Sequence, residues 1–494
     1  MRFKILRYIL LLILTIILSS CTEEEDGLSI AMAQEPPSLD VMINTSISGR
    51  EILTGNVFER LLSFEDGEIV PLLASSYELS DDSHTLRILL KENISFHDGT
   101  AFDAEDAVLS MNRWLSVSDA AQAIAGENIF HPEGDSIVIS SASSLSLLPL
   151  LMATSAESAV VYKSEDIEKG DAVISSGIGT GPYRIAEYSL GEKIVLERYE
   201  DYHGDKPSLD KLSYYFVSDP VTRRLGLESG LYDFIDTVSS DDIPRLSEMD
   251  GVSLVGGVEN GSIALLFNKK EGISGSLDFR KGVSLYIDRN DLMKACYGDY
   301  GYSIDSSYME SDSFWYADPS SDPFGKEDRE SSEEYLSSFH GEKVRILTSN
   351  LTGLDRIAAV LSEELERAGF DTELIVLDWA AFLERRKNPG SWDIAITALT
   401  AVSLPLDKAF LSPSYPGWTD SDAFSLLEMI PEAESTEAAL SLWHDAQIQY
   451  WEYIPSIVLG HYSTMHACSS SLTGIDVSSD GFSFLSAELS DREK

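Results

Sequence analysis

The side chains in this sequence that could do chemistry are few and scattered. His461 and His466 stand five residues apart, after Tyr453-Ile454-Pro455, in a run that reads as a β-strand. Imidazoles are good ligands for nickel, copper or zinc. A five-residue step nevertheless puts the two rings on opposite faces of a regular strand, so joint ligation needs a bulge or a loop. His97-Asp98 resembles an acid–base pair, but the Gly99-Thr100 that follows makes it turn chemistry joining a strand to a helix. Gly177, Gly179 and Gly181 imitate a nucleotide loop. Pro182 follows them directly, and Tyr183 to Tyr188 alternates like a strand instead of opening the helix whose N-terminus would hold a pyrophosphate. No Gly-x-x-x-x-Gly-Lys-Ser/Thr loop, His-Glu-x-x-His pair or Gly-x-Ser-x-Gly elbow occurs. The sequence points to a binding protein with no cofactor, not to an enzyme. An extracytoplasmic hydrolase or an adhesive lipoprotein is the remaining alternative.

The elements that must position these residues are mixed. Leu28 to Gln34 alternates as a strand before Pro36-Pro37 breaks it, and Glu51 to Leu62 is helix-like. His84 to Leu90 and Ser136 to Ser140 read as strands, with a helix from Ala104 to Leu115 between them. Asp103 is its N-cap, and Asp106 lies in its first turn. Further on, Val344 to Thr348 is a strand, and Leu354, Ile357, Ala358, Leu361 and Leu365 form one apolar helical face ended by Gly369. Glu373 to Leu377 is the next strand, so the unit is β-α-β. Ala380 to Arg386 adds a short helix and Trp392 to Leu399 a third strand, which predicts a parallel sheet with helices on its faces. The fold class is α/β, mixed α+β.

At the N-terminus Arg2, Lys4 and Arg7 precede an apolar run from Tyr8 to Leu18, too short for the roughly 20 residues of a membrane-spanning helix. Residues 1–20 read as a signal peptide. Leu18-Ser19-Ser20-Cys21 matches the pattern at which bacterial lipoproteins are cleaved and their cysteine lipidated. Residues 21–27 are then a lipidated acidic tether with nothing to bury. The expected location is outside the cytoplasm, at the periplasm or cell surface, held to the membrane by lipid. A formal charge of −47 repels polyanions, so nucleic acid is not an expected partner. Cys296 and Cys468 carry no spacing pattern, and their pairing stays open.

Several separated segments then match one pattern. They are Pro37-Ser38-Leu39-Asp40, Val57-Phe58-Glu59-Arg60-Leu61-Leu62, Pro71 to Glu78, Phe96-His97-Asp98-Gly99-Thr100 and Ala104-Glu105-Asp106-Ala107. Gly179-Thr180-Gly181-Pro182-Tyr183, Tyr202 to Pro207, Ser229-Gly230 with Asp233, and Phe279 to Val283 running to Ile287-Asp288-Arg289 continue it. In this ordered set the chain resembles family 5 of the bacterial extracellular solute-binding proteins, which includes oligopeptide, dipeptide and nickel binders of ABC importers.

The resemblance implies a two-lobed clamshell of the type II periplasmic-binding kind, with an extra subdomain on a discontinuous lobe. Residues 28–51, 178–264 and 468–494 would form lobe one, 52–177 the accessory subdomain and 265–467 the α/β lobe two. It implies a monomer that captures a peptide or peptide-like molecule between the lobes and passes it to the transmembrane subunits of an ABC permease. Asn44 and Thr45 fall where family members line the cleft. In peptide-binding members an aspartate after the strand matching Trp392 to Leu399 holds the ligand's amino group, near a tryptophan. Here neither stands at that place, and Asp407 comes some residues late. The alternative cargo is nickel or another metal chelate held by His461 and His466; otherwise no metal site is expected.

Because an acidic tether separates anchor from fold, Cys21→Ser is expected to abolish lipid attachment and leave ligand affinity intact. Detergent-phase partitioning and intact-mass measurement of the membrane fraction check it, and a variant that still carries a covalent lipid contradicts the processing reading.

Overall fold

The computed structural model describes residues 27–490 apart from 45, 66, 155–156, 171–172, 351–352, 403, 406–420 and 479–480. Its largest feature is an eleven-stranded sheet. Ten of its strands are β1 (Leu28–Met32), β2 (Tyr183–Ser189), β3 (Lys193–Arg198), β4 (Lys211–Phe216), β5 (Phe234–Ile235), β6 (Val252–Phe267), β7 (Lys343–Ser349), β8 (Asp371–Leu377), β9 (Ile394–Thr400) and β10 (Ser456–Ser469). They stand in the order β8-β7-β9-β6-β10-β5-β1-β4-β3-β2, and Tyr302–Ser303 pairs with β10 as the eleventh. β7 pairs parallel with both β8 and β9, as the β-α-β pattern predicts. β6 joins β9 antiparallel, so the sheet as a whole is mixed.

Two strands are much longer than the rest. β6 has 16 residues and β10 has 14, and they pair antiparallel from Val252–Ser469 to Leu266–Ser456. One end of this ribbon pairs with β5, through Phe234–Cys468 and Ile235–Ala467. The other end pairs with β9, from Gly261–Thr400 to Phe267–Ile394. The same two strands thus belong to both halves of the sheet. Between the halves the register shifts at Gly256/Glu259 and again at Glu259/Gly261. Such bulges bend the strand and increase its local twist.

Helix α1 (Ile47–Leu53) follows β1, and it corrects the expected helix over Glu51 to Leu62. The Asn56 side-chain amide donates to the carbonyls of Glu51 and Ile52, at 3.2 and 3.3 Å, and Gly55 takes a φ of +79°, which together stop the helix. Leu62 already opens a hairpin strand. Helix α2 (Ala104–Val117) starts where its cap predicts. Asp103 accepts from the Glu105 and Asp106 amides while Asp106 accepts from the Asp103 amide, a reciprocal capping box. Its inner face, Met111, Trp114 and Leu115, lies in a region that also holds a four-stranded antiparallel sheet of Ala74–Leu79, Thr85–Leu90, Ser136–Ser140 and His131–Glu133. Helix α3 (Leu354–Arg367) buries Leu354, Ile357, Ala358, Leu361 and Leu365 in one core with Val344 and Ile346 of β7.

Two smaller readings are refined. Gly179 and Gly181 serve close packing and not unusual torsions: a Cβ would stand 1.9 Å from the Val57 carbonyl oxygen at the first and 2.3 Å from that of Asn56 at the second. His203 reaches the buried carboxylate of Glu59 at 3.0 Å. Cys296 and Cys468 form no disulfide; each is a buried thiol. No helix among the described residues is long and apolar enough to cross a membrane, and Cys21 lies outside those residues.

One buried carboxylate ties α2, Tyr162 and Ile174 to the turn that follows β1. Asp40 is fully buried. Arg113 of α2 donates to its Oδ2 at 2.5 Å, the Ile174 amide to the same oxygen at 2.9 Å and the Tyr162 hydroxyl to Oδ1 at 3.1 Å. Removing one member of such a set strands a buried charge, at about 3–5 kcal/mol. Asp40→Ala is therefore expected to lower stability by about that amount, read as a fall in the urea midpoint.

Candidate functional site

Where the ribbon changes register it forms one wall of a cavity of about 180 Å³. Gly257 and Asn260 line it from β6, and Thr464 and His466 from β10. Ser48 and Glu51 of α1 and Asp236, just past β5, face them. The volume is below the roughly 300–1,000 Å³ of a site for a whole drug-sized ligand, so this is the size of a subsite.

Local rules place each side chain. Ser46 caps α1 by accepting the Gly49 amide at 3.1 Å, which fixes the helix start. Ser48, Glu51 and Ile52 then share its buried face at helical spacing. The backbone of Gly481 closes over that face: a Cβ there would come within 2.6 Å of Glu51 Cγ. Asp236 accepts the Ala33 amide through Oδ2 at 2.7 Å, and so holds the residue that follows β1. Its Oδ1 accepts no hydrogen bond and lies 3.4 Å from Arg223 Nε. His466 donates from Nδ1 to the Asp236 carbonyl at 2.5 Å, which leaves Nε2 without a proton in the neutral ring. A Cβ on Gly257 would stand 3.3 Å from that Nε2. Across the ribbon, Asn260 Nδ2 donates to Thr464 Oγ1.

The electrostatics are unusual. Glu51 is 8% exposed, and among the described residues its carboxylate accepts no hydrogen bond and forms no ion pair. Burial first, and the nearby Asp236 charge second, push its pKa up to about 8 against the opposing pull of Arg50. Burial raises Asp236 as well, and burial lowers His466, which favours its neutral imidazole.

His461 is occupied elsewhere. Its Nε2 hydrogen-bonds the Ser307 carbonyl at 3.1 Å, and its Nδ1 faces Glu310 at 3.9 Å. The two histidines thus serve different segments and are not brought together. No three His, Cys or carboxylate side chains among the described residues converge as a metal shell. Asn44 stands in the turn leading into α1, its amide on the Asp40 carbonyl at 3.1 Å, and it does not line the cavity described above. Thr45 and Asp407 lie outside the described residues. Sequence reasoning missed Glu51 and Asp236. The available signal for Glu51 was an acid at helical spacing with Ser48 and Ile52 on a face destined for burial.

Residues 68–421 match the family model of the bacterial extracellular solute-binding proteins, family 5 Middle. The chain is similar to the probable peptide ABC transporter periplasmic-binding protein y4tO of Sinorhizobium fredii, 24% identical over 451 residues that cover 82% of this chain and 83% of that one. Its fold is similar to that of a dipeptide binding protein from a Pseudoalteromonas species, solved with Met-Leu. That match has a TM-score of 0.72 and 19% identity, and covers 94% of this chain and 100% of that one. It is also similar to NikA from Brucella suis, solved with Fe(III)-EDTA, with a TM-score of 0.78, 18% identity and coverage of 93% and 100%. The mixed sheet in two halves is accordingly the two-lobed clamshell of these neighbours.

Glu51 holds its proton more tightly in the folded chain than in the unfolded one. Between its ordinary value of 4.5 and about 8 folding therefore takes up a proton, and stability falls as pH rises. The slope from this group is at most roughly 1.4 kcal/mol per pH unit. Glu51→Gln abolishes that contribution, so its stability relative to the parent is expected to grow from about pH 5 to about pH 8, measured by urea unfolding across the window. An unchanging difference contradicts the assignment.

Proposed function

This chain belongs to the bacterial extracellular solute-binding proteins, family 5, and from that membership we propose that it captures a peptide or peptide-like small molecule between its lobes. It then delivers the cargo to the transmembrane subunits of an ABC importer and does not transform it. The observation that carries this reading is the β6–β10 ribbon, which passes through both halves of the sheet and changes register between them. Two strands that bend at one level act as a hinge, and hinge closure buries a ligand from both sides. The relatives, a probable peptide ABC transporter binding protein and a dipeptide binding protein, support the choice of cargo.

In this reading the hinge lies at Gly256 to Gly261 and the facing residues Tyr462 to Met465. Residues 28–51, 178–264 and 468–494 make lobe one, 52–177 its accessory subdomain and 265–467 lobe two. The protein acts as a monomer outside the cytoplasm, cleaved after residue 20 and anchored through lipid on Cys21. Asn44, Thr45 and Asp407 are proposed to face the cargo. A metal chelate is the weaker reading for this chain, since His461 and His466 serve different segments and are not brought together.

Small-angle scattering with a bound peptide is expected to show compaction. Saturating peptide is expected to stabilise the fold by about 2.7 kcal/mol at 100 times the dissociation constant. Calorimetry with a mixed di- and tripeptide library, run with and without EDTA, decides the cargo. Binding that persists in EDTA supports the peptide reading; binding that vanishes with EDTA, and with His461→Ala or His466→Ala, replaces it with a chelate.

A further inference from the structure

Among the residues lining the cavity at the hinge, three acceptors lack a donor, beside the donor-bearing Gln34, Ser48, Thr237, Asn260 and Thr464. Glu51 contributes a carboxylate with no partner among the described residues, although it is more than nine-tenths buried. Asp236 contributes Oδ1, which accepts no hydrogen bond. His466 contributes Nε2, because its Nδ1 proton is already given to the Asp236 carbonyl. Thr464 and Asn260 satisfy each other across the ribbon. Among the described residues that line the cavity, none is Lys or Arg.

Burying a polar acceptor without a donor costs free energy, and burying a carboxylate without a counter-charge costs more. A fold keeps such a set at low cost when something else supplies the donors. A metal ion does not fit, since no three metal-ligating side chains converge among the described residues. A group with several N–H donors and one positive charge does fit: an ammonium presents three and a guanidinium five. The place also suits a ligand, for the cavity sits where the ribbon shifts register and where lobe closure would seal it.

We propose that this cavity is a cation subsite, in which Glu51 and Asp236 receive an ammonium or guanidinium group of the cargo. The proposal rests on the solute-capture reading for its occupant, and its chemistry has two sources, a peptide's N-terminal ammonium or a basic side chain. Binding is an exchange of one proton for one cation: the neutral Glu51 carboxyl loses its proton to solvent and the carboxylate takes the ligand's charged N–H donors. The groups facing Glu51 are Arg50 on its own helix, Asp236 with Arg223 behind it, His466 from β10 and the buried Tyr214 of β4. Burial favours the neutral ring of His466 and Asp236 shares the acidic character of the site, so the proton released comes from the carboxyl pair. Affinity for a basic side chain then rises with pH up to about 8 and levels off above it, whereas affinity for an N-terminal ammonium, which itself loses its proton at roughly pH 8, peaks near there and falls above it.

The test is calorimetry of the full mature chain and its Glu51→Gln variant with a set of lysine-containing tripeptides. Each is used unmodified, acetylated at the N-terminus, and acetylated on the lysine side chain. Cadaverine and agmatine serve as small probes of the same chemistry. One acetylation is expected to weaken binding to the parent chain roughly tenfold to a hundredfold, the range for losing hydrogen bonds to a charged group, and it names the source of the cation. Glu51→Gln is expected to erase that preference, to bind the sensitive acetylated peptide about as the parent does, and to abolish the proton release seen when buffers of different ionisation enthalpy are compared. If peptides bind but Glu51→Gln leaves every preference unchanged, the subsite is overturned and peptide capture stands. If no peptide binds while cadaverine or agmatine binds in a Glu51-dependent way, the subsite stands and peptide capture falls. If neither the peptides nor the amines bind in a Glu51-dependent way, the subsite is overturned. Because proton release is also read on the parent chain, and a cation held by an already ionised carboxylate elsewhere releases no carboxyl proton, it tests the subsite even if the variant folds poorly.

Discussion

The pairing of β6 with β10 is the constraint on which the rest of this structure depends. Two strands of 16 and 14 residues are hydrogen-bonded along nearly their whole length, so the two halves of the sheet cannot be built independently. Every other strand of the large sheet takes its place relative to that ribbon. β5 and β1 follow from one end, and β9, β7 and β8 from the other. Continuity of the ladder keeps the backbone of both strands satisfied, while its register shifts give it a place to bend. Gly261, at one shift, allows the close approach: a Cβ there would stand 1.9 Å from the Leu399 carbonyl oxygen.

Buried charge is handled in three ways around this frame. Asp40 has a complete set of donors, including the Arg113 guanidinium, and works as a structural tie. Asp236 is divided, one oxygen fixing the Ala33 amide and the other without a hydrogen bond beside Arg223. Glu51 has neither kind of partner among the described residues, and its carboxyl stays protonated near neutral pH. The order runs from scaffold to cavity. Asp40, which holds the fold, is saturated, and the two that line the cavity are left with capacity to spare. In a chain of formal charge −47 such a carboxylate is one of 83 acids, and only its surroundings mark it.

Much of the architecture was legible in the residues because it rests on local rules. The period of Leu354, Ile357, Ala358, Leu361 and Leu365 fixed α3 and its buried face, and the β-α-β unit around it pairs in parallel as its pattern implied. Asp103 and Asp106 announced α2, because a capping box is written in adjacent residues. The reading failed at Glu51 to Leu62, where apolar content suggested a longer helix; Asn56 and Gly55 end it by side-chain capping and a positive φ that periodicity does not register.

The candidate site was the least legible part. His461 and His466 drew attention as metal-type residues, and each bonds, through one ring nitrogen, a backbone carbonyl contributed by a different distant segment. Glu51 and Asp236 drew none, since the two acids stand 185 positions apart in sequence and only folding brings them to one cavity. By itself the sequence determined the elements, their caps, the family pattern and the class of protein, because those depend on neighbours within a few residues. The tertiary structure alone decided which carboxylate would be saturated and which left open, because burial and partnership are properties of the assembled chain and not of any stretch of it.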